Sequence, residues 1–424
     1  MRHYQVFTPN DQPTVTYVER DDRQLEMHLQ TSISTPKMIT SLSGPSKTGK
    51  TVLLKRVIDQ NNLIYLRGAY IKSLEDFWRA VLAWFETPDS ESTSSSLTVG
   101  GSLSARGSGE VGTSWLAKGK VEAEGSGGAS TTNTKTKHIP IDPFEQIVRE
   151  ISESDFTILI DDYHYMPTST QKDVAKAIKS LAESSVNICT ASVPHRSEDL
   201  LRANSELKGR IVAIDIPEWN IDELTAIAER GFGALNIGIN KNTIKRIANE
   251  AMGSPQLMQV ICLNLCVELG ITNSANDEKK TISVTDSTLQ RALEASANFA
   301  SSADLVQALH SGPKVKGQQR TQYSFTDGSR GDVYRAILLA VTSDPISRDF
   351  TYDEIYRRVK SVCEKEFPTG QSISNSLNHM CLIAQEIAQE QTVMEWDDAN
   401  LHIADPYLAF YMRASAKIDQ LKRL

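Results

Sequence analysis

Two glycines, a lysine and a threonine stand in the run Gly44-Pro45-Ser46-Lys47-Thr48-Gly49-Lys50-Thr51, which satisfies G-x-x-x-x-G-K-[ST] at every fixed position. The chemistry that suits this spacing is the cradling of a polyphosphate. Gly44 and Gly49 permit torsions and a close approach that a side chain forbids, so successive backbone N–H groups turn inward around phosphate oxygens. Lys50 brings a point charge to the β and γ oxygens, and the Thr51 hydroxyl is placed to ligate Mg²⁺. Residues 37–43 read as a short buried strand and residues 51–58, with Val52 at their start, as a helix, so the phosphates meet a helix N-terminus. The expected ligand is a nucleoside triphosphate with Mg²⁺.

A second group of residues supplies acids. Residues 156–162 form an apolar run that ends in the paired carboxylates Asp161 and Asp162. A strand tipped in this way, about 110 residues behind a phosphate loop, is the Walker B pattern. Asp161 is expected to hold the Mg²⁺ shell and Asp162 to polarise the attacking water. Ser192, at the end of a predicted strand over 186–193, is a candidate to reach the γ-phosphate or that water. Thr190 is the alternative, and a hydroxyl satisfied by backbone competes with both. Tyr17, Val18 and Arg20 are candidates for contact with the base, a plain packing role being the simpler reading. Cys262 and Cys266 lie one helical turn apart in an apolar run without neighbouring His or Cys, which reads as core.

The elements that must carry these groups alternate. Predicted strands at 37–43, 63–66, 156–161, 186–193 and 211–216 are separated by helical patterns at 51–58, 73–85, 141–152 and 171–183, which implies a mostly parallel sheet covered on both faces. Residues 87–138 break the alternation, being rich in Ser, Thr and Gly, with larger apolar residues mostly at odd positions. Two amphipathic strands or a low-complexity loop both fit that composition.

With 424 residues, 40% hydrophobic and 23% charged, the chain is long enough for two or three domains with full cores. A formal charge of −8 argues against an affinity that comes mainly from neutralising nucleic-acid phosphates. Five scattered cysteines, no apolar leader and no run long enough to span a bilayer lead to the expectation of a soluble cytoplasmic protein.

The succession of phosphate loop, acid-tipped strand, polar-tipped strand and the segment Asn204-Ser-Glu-Leu-Lys-Gly-Arg210 before a fifth strand resembles the AAA+ ATPases and the related STAND ATPases. The resemblance implies an α/β P-loop NTPase core with a helical lid, and a homo-oligomer, either ring or open, in which Arg210 acts as an inter-subunit arginine finger, with Arg202 and Arg196 as alternatives. Within the lid, Gly253-Ser254-Pro255-Gln256-Leu257-Met258-Gln259 resembles the G-x-P segment of STAND members, which adds Pro255 to the expected nucleotide contacts. Pro255 and Gln256 where many AAA+ proteins place a second sensing arginine, and Asp162 where they place Glu, imply a slow nucleotide switch.

The stretch from residue 331 onward reads as three helices and a hairpin, similar to a winged helix, and Asp405-Pro-Tyr-Leu-Ala-Phe-Tyr-Met-Arg413 resembles the D-P-x-x-x-F-Y-x-R run that closes this domain in archaeal-type STAND-like ATPases. The expected organisation is a lead-in over 1–36, an ATPase core over 37–217 with the 87–138 insert, a lid over 218–297, a linker over 298–330 and a winged helix over 331–424. A capping box is expected at Thr351-Tyr-Asp-Glu354. The leading functional expectation is an ATPase that assembles with nucleotide. A DNA-associated ATPase is the alternative, opposed by a would-be recognition helix without Lys or Arg. A third reading has the insert engage a protein partner or, less readily, a membrane.

Overall fold

The computed structural model describes residues 1–20, 23–85, 90–91, 139–140, 142–193, 199–274, 280–300, 302–314, 319–388 and 392–421. After a one-turn helix His3–Val6, the first half runs α1 Leu25–Ser34, β1 Ile39–Ser43, α2 Lys50–Val57, β2 Leu63–Arg67, α3 Leu74–Trp84, α4 Pro143–Ile151, β3 Thr157–Asp161, α5 Thr168–Glu183, β4 Asn187–Ser192 and β5 Ile211–Asp215.

These strands form one five-stranded sheet in the order β2-β3-β4-β1-β5. Every neighbouring pair is parallel, with Leu63 opposite Thr157, Ile158 opposite Ile188, and Ile39 opposite both Ile188 and Ile211. The two strands that carry chemistry at their ends, β1 and β3, are buried at all five positions, as a parallel sheet covered on both faces requires.

Alternation along each strand sorts the core into two layers. Leu42, Leu63 and Leu159 pack with Leu29, Leu53 and Leu54 of α1 and α2. Ile39, Ile64, Ile158 and Ile160 face the other way, onto Phe77, Val81, Ile147 and Ile178 of α3 to α5.

The lid follows as α6 Ile221–Ala234, α7 Lys241–Glu250, α8 Pro255–Glu268 and α9 Asp286–Ala297. Two of its starts are set by local chemistry: Asn220 and Glu223 form a reciprocal capping box on α6, and Ser254 caps α8 ahead of Pro255 in the first turn. Cys262 and Cys266 of α8 are buried thiols of this core. The C-terminal unit runs α10 Ala303–Ser311, α11 Val333–Thr342, β6 Asp349–Thr351, α12 Tyr352–Val362, α13 Gly370–Ala388, β7 Glu395–Trp396, β8 Asn400–His402 and α14 Pro406–Ala414. Its strands make an antiparallel sheet in the order β6-β8-β7. Lid, C-terminal unit and the first residues of the chain share one continuous apolar core, in which Phe7 packs edge-on to Phe232 at 5.2 Å.

Three expectations differ in detail. The 298–330 stretch, read as a linker, holds α10, whose Leu305, Val306 and Leu309 are buried in the shared core. Its apolar residues are too few for periodicity to stand out against the polar run that follows. A short parallel pairing of Ile237–Ile239 with Lys280–Ile282 also escaped the sequence reading, because three-residue strands carry almost no pattern. At α12 only half of the expected capping box forms. Thr351 accepts from the Glu354 N–H, while the Glu354 carboxylate turns to Arg358 at 2.8 Å, an ion pair that the box model ignores.

The described ends of the insert, Ser90–Glu91 and Ile139–Pro140, pair antiparallel. The remainder of the 87–138 expectation lies outside the described residues. None of the described helices is long and apolar enough to cross a membrane.

Candidate nucleotide site

The site is built at the carboxyl ends of β1, β3 and β4, where a parallel sheet opens a crevice. A Cβ at Gly44 would lie 2.5 Å from the Ile216 carbonyl oxygen, so only glycine lets the loop leave β1 so close to the segment after β5. Gly49 has φ +95°, in the left-handed region, and turns the chain into α2. Thr48 closes the loop with its hydroxyl on the Pro45 carbonyl at 2.9 Å, and the indole N–H of Trp219, from the start of the lid, donates to the Thr48 carbonyl at 2.9 Å. The lid is thereby tied to the loop backbone, a contact that sequence reasoning missed because 171 residues separate the partners.

Lys50 reaches back across the loop and donates to the carbonyls of Gly44 and Pro45 at 2.7 and 2.9 Å. Burial lowers its pKa, opposed by the charges of Asp161 and Asp162. Thr51 places its hydroxyl 3.2 Å from Asp161 Oδ2, and Asp161 Oδ1 accepts the Asp162 N–H at 3.1 Å. Asp162 adopts a left-handed φ of 55° at the strand end. Its carboxyl is pushed up, first by burial and then by the Asp161 charge, with Lys50 and Arg67 opposing. A carboxylate whose proton affinity is raised by burial and that lines a cleft suits proton transfer.

Ser192 lies one strand over, with its carbonyl accepting the Gly44 N–H and its hydroxyl buried without a partner among the described residues. Thr190 is buried inside the sheet, in register with Ser41 and Ile160.

A cleft of about 510 Å³ runs from the loop to the lid, a size suited to a nucleotide. Ser46, Lys47, Thr48, Gly49, Lys50, Thr51, Val52, Asp161, Asp162 and Pro255 line it, Gly44 and Pro45 of the expected contacts do not, and Tyr17 and Val18 form part of its wall. Arg20 also borders it but is committed elsewhere. Its guanidinium pairs with Glu223 at 2.9 Å and donates to the carbonyls of Pro217 and Glu218, so it is committed to the segment that enters the lid.

Arg210 stands apart from its own loop. Its carbonyl accepts from Ile39 at the start of β1, whereas the loop leaves the far end of that strand, about 13 Å on at the usual rise per residue. The guanidinium pairs with Glu183 at 3.0 Å. Arg202 lies in the helical turn Asp199–Ala203, and Arg196 is outside the described residues.

The donor set fits Mg²⁺. A threonine hydroxyl and a carboxylate, both oxygen, meet at the helix N-terminus, which matches a small hard cation that takes its remaining ligands from phosphate and water. Among the described residues there is no cluster of three or more His, Cys, Asp or Glu, so a cage made only of protein side chains is not offered.

The strand order, the loop between β1 and α2, the acids at the end of β3 and the helical lid make this a P-loop NTPase fold of the AAA+ type. No protein-family model matches the chain, and no curated protein matches its sequence. Solved structures similar to it over nearly the full length include the following. A Walker-type ATPase of Pyrococcus abyssi shares 14% identity at a TM-score of 0.47, covering 94% of this chain and 99% of its own. The Cdc6p protein of Pyrobaculum aerophilum shares 13% at 0.42, with 99% and 98% covered. The ORC2 protein of Aeropyrum pernix, in ADPNP and ADP complexes, shares 10% at 0.47, with 99% and 97% covered.

Proposed function

We propose that the protein binds ATP with Mg²⁺ between core and lid, hydrolyses it slowly, and uses the bound state to promote assembly of copies of itself. The observation that carries this reading is the meeting of Thr51 and Asp161 at 3.2 Å beneath the loop lysine, with Asp162 beside them. In the reading, the loop N–H groups and Lys50 bind the β and γ phosphates, and Thr51 and Asp161 hold the metal shell. The metal, when bound, withdraws charge from the phosphate oxygens. Asp162 orients the attacking water and accepts its proton, and the buried Ser192 hydroxyl senses the γ-phosphate.

Arg210 belongs to the site of a neighbouring copy in this scheme, a reading supported by its place beyond the start of β1, away from its own loop. A planar cation supplied from outside makes turnover depend on assembly. The C-terminal unit, with its order of helix, strand, two helices and hairpin, is read as a winged helix that packs against the nucleotide domain. Its helix α13 carries no Lys or Arg, which disfavours the alternative of DNA binding through it.

Sizing chromatography with and without ATP, on wild type, Lys50→Ala and Arg210→Ala, tests the scheme. Nucleotide-dependent assembly in wild type is expected to be lost with Lys50→Ala, and turnover to be lost with Arg210→Ala. Unchanged ATPase activity and assembly in both variants would refute it.

A further inference from the structure

Strand β2 contributes a side chain to this site that the motif pattern does not include. Tyr65 and Arg67 share one face of β2, two residues apart, and they are the exposed positions of an otherwise buried strand. The parallel register sets Tyr65 opposite Leu159 and Arg67 opposite Asp161. Tyr65 therefore sits diagonally across from Asp161, on the face that carries α2 and the phosphate loop.

Tyr65 is 36% exposed, and solvent would satisfy the hydroxyl without further arrangement. Instead the hydroxyl turns inward and donates to Asp161 Oδ2 at 2.8 Å, while the Arg67 guanidinium lies 5.9 Å from the ring centroid and also hydrogen-bonds the Tyr65 side chain. Oδ2 is the same oxygen that accepts from Thr51, and Oδ1 accepts from the Asp162 backbone. With donors on both oxygens, the carboxylate is held in one rotation instead of swinging about its terminal bond.

We propose that Tyr65 is a positioning residue for the metal shell: its hydroxyl holds Asp161 turned toward Thr51, and so sets the affinity of the nucleotide site for Mg²⁺. The inference rests on the ATP–Mg²⁺ reading given above. It assigns Tyr65 no contact with nucleotide or with the reacting atoms. Tyr65→Phe keeps the ring and its packing and removes one hydrogen bond to a charged acceptor, which is worth about a tenfold change in the equilibrium it supports.

The test is titration of a fluorescent ATP analogue into full-length protein, first in EDTA and then at increasing MgCl₂, for wild type, Tyr65→Phe, Asp161→Asn and the double variant. Tyr65→Phe is expected to bind the analogue in EDTA within about twofold of wild type and to need about five- to tenfold more Mg²⁺ for half-saturation. In the Asp161→Asn background the same substitution is expected to add little, because the two residues act as a unit. An unchanged Mg²⁺ requirement in Tyr65→Phe overturns the proposal. So does an equal loss of affinity in EDTA and in Mg²⁺, which is the mark of a purely structural residue. If wild type binds no analogue, or binds it with no response to Mg²⁺, the functional reading itself fails and the proposal falls with it, an outcome visible without any variant.

Discussion

Lys47, at an open position of the phosphate loop, holds its ammonium 3.6 Å from the Asp405 carboxylate, at the start of the D-P-Y corner of the C-terminal unit. The same ammonium lies 3.8 Å from the centroid of the Tyr407 ring. A loop built to bind phosphate is thus engaged, through one of its own cations, by a residue 358 positions further along the chain. Close by, buried Arg348 is held by the carbonyls of Ile403 and Ala404 and pairs with Glu218 at the lid entrance. These contacts join the C-terminal unit to the loop and to the lid entrance.

Asp405→Asn is expected to tighten ATP binding about threefold, the scale of a half-exposed ion pair whose cation is released to the phosphates. Asparagine caps helices as well as aspartate does, so the cap that Asp405 gives the Tyr407 N–H is kept. A nucleotide titration at low salt checks this, and the difference from wild type should fade at about 1 M salt, where the screening length is about 3 Å.

Lys50→Met is expected to leave the melting temperature of the nucleotide-free protein unchanged or raised. Burial disfavours the charged form of Lys50, so removing the charge relieves a penalty present across neutral pH. ATP at a hundredfold its dissociation constant stabilises a binding-competent protein by about 2.7 kcal/mol, and that increment should vanish in the variant. Thermal melts with and without ATP·Mg²⁺ separate the two effects.

Gly231→Ala tests how the N-terminal segment is docked. A Cβ there would lie 2.3 Å from the Phe7 ring, which is fully buried against Phe232 and has no room to retreat. The overpacking is expected to destabilise the lid by about 1–3 kcal/mol. Because residues 8–13 and 16–18 wall the cleft, nucleotide affinity should fall with it, as read by urea unfolding and nucleotide titration on the same variant.

A pH dependence follows from His402 and Asp349, which meet at 2.5 Å across β8 and β6. The Asp349 hydrogen bond raises the His402 pKa against the effect of burial, and the His402 hydrogen bond lowers that of Asp349. The histidine contribution is fully present below its unfolded value of about 6.5 and is lost as pH rises through the raised folded value. The aspartate contribution is present above about pH 3.9 and is lost as pH falls through its lowered value. The pair is therefore strongest between about pH 4 and 6.5. His402→Asn is expected to lower the urea midpoint relative to wild type at pH 5.5, and the difference should close at pH 9.

Sequence alone determined the parts of this protein that depend on local spacing. The loop at 44–51, the acids at 161 and 162, the five core strands and most helices are legible because each is specified within one short window, by periodicity, capping or the torsional demands of glycine. The strand order β2-β3-β4-β1-β5 was left unspecified by those windows, since strands of similar apolar character give no register of their own. Tyr65 read as an ordinary strand residue until the register set it diagonally across from Asp161, a partner 96 positions away. Likewise Trp219 on Thr48, Arg20 on Glu223 and Lys47 on Asp405 join residues 171, 203 and 358 positions apart. Such contacts are selected by how packed layers come together, and the chemistry of each residue type permits many partners besides the one it finds. Only the tertiary structure decides among them, because burial of the apolar faces settles the geometry first and the polar groups pair within what that geometry allows.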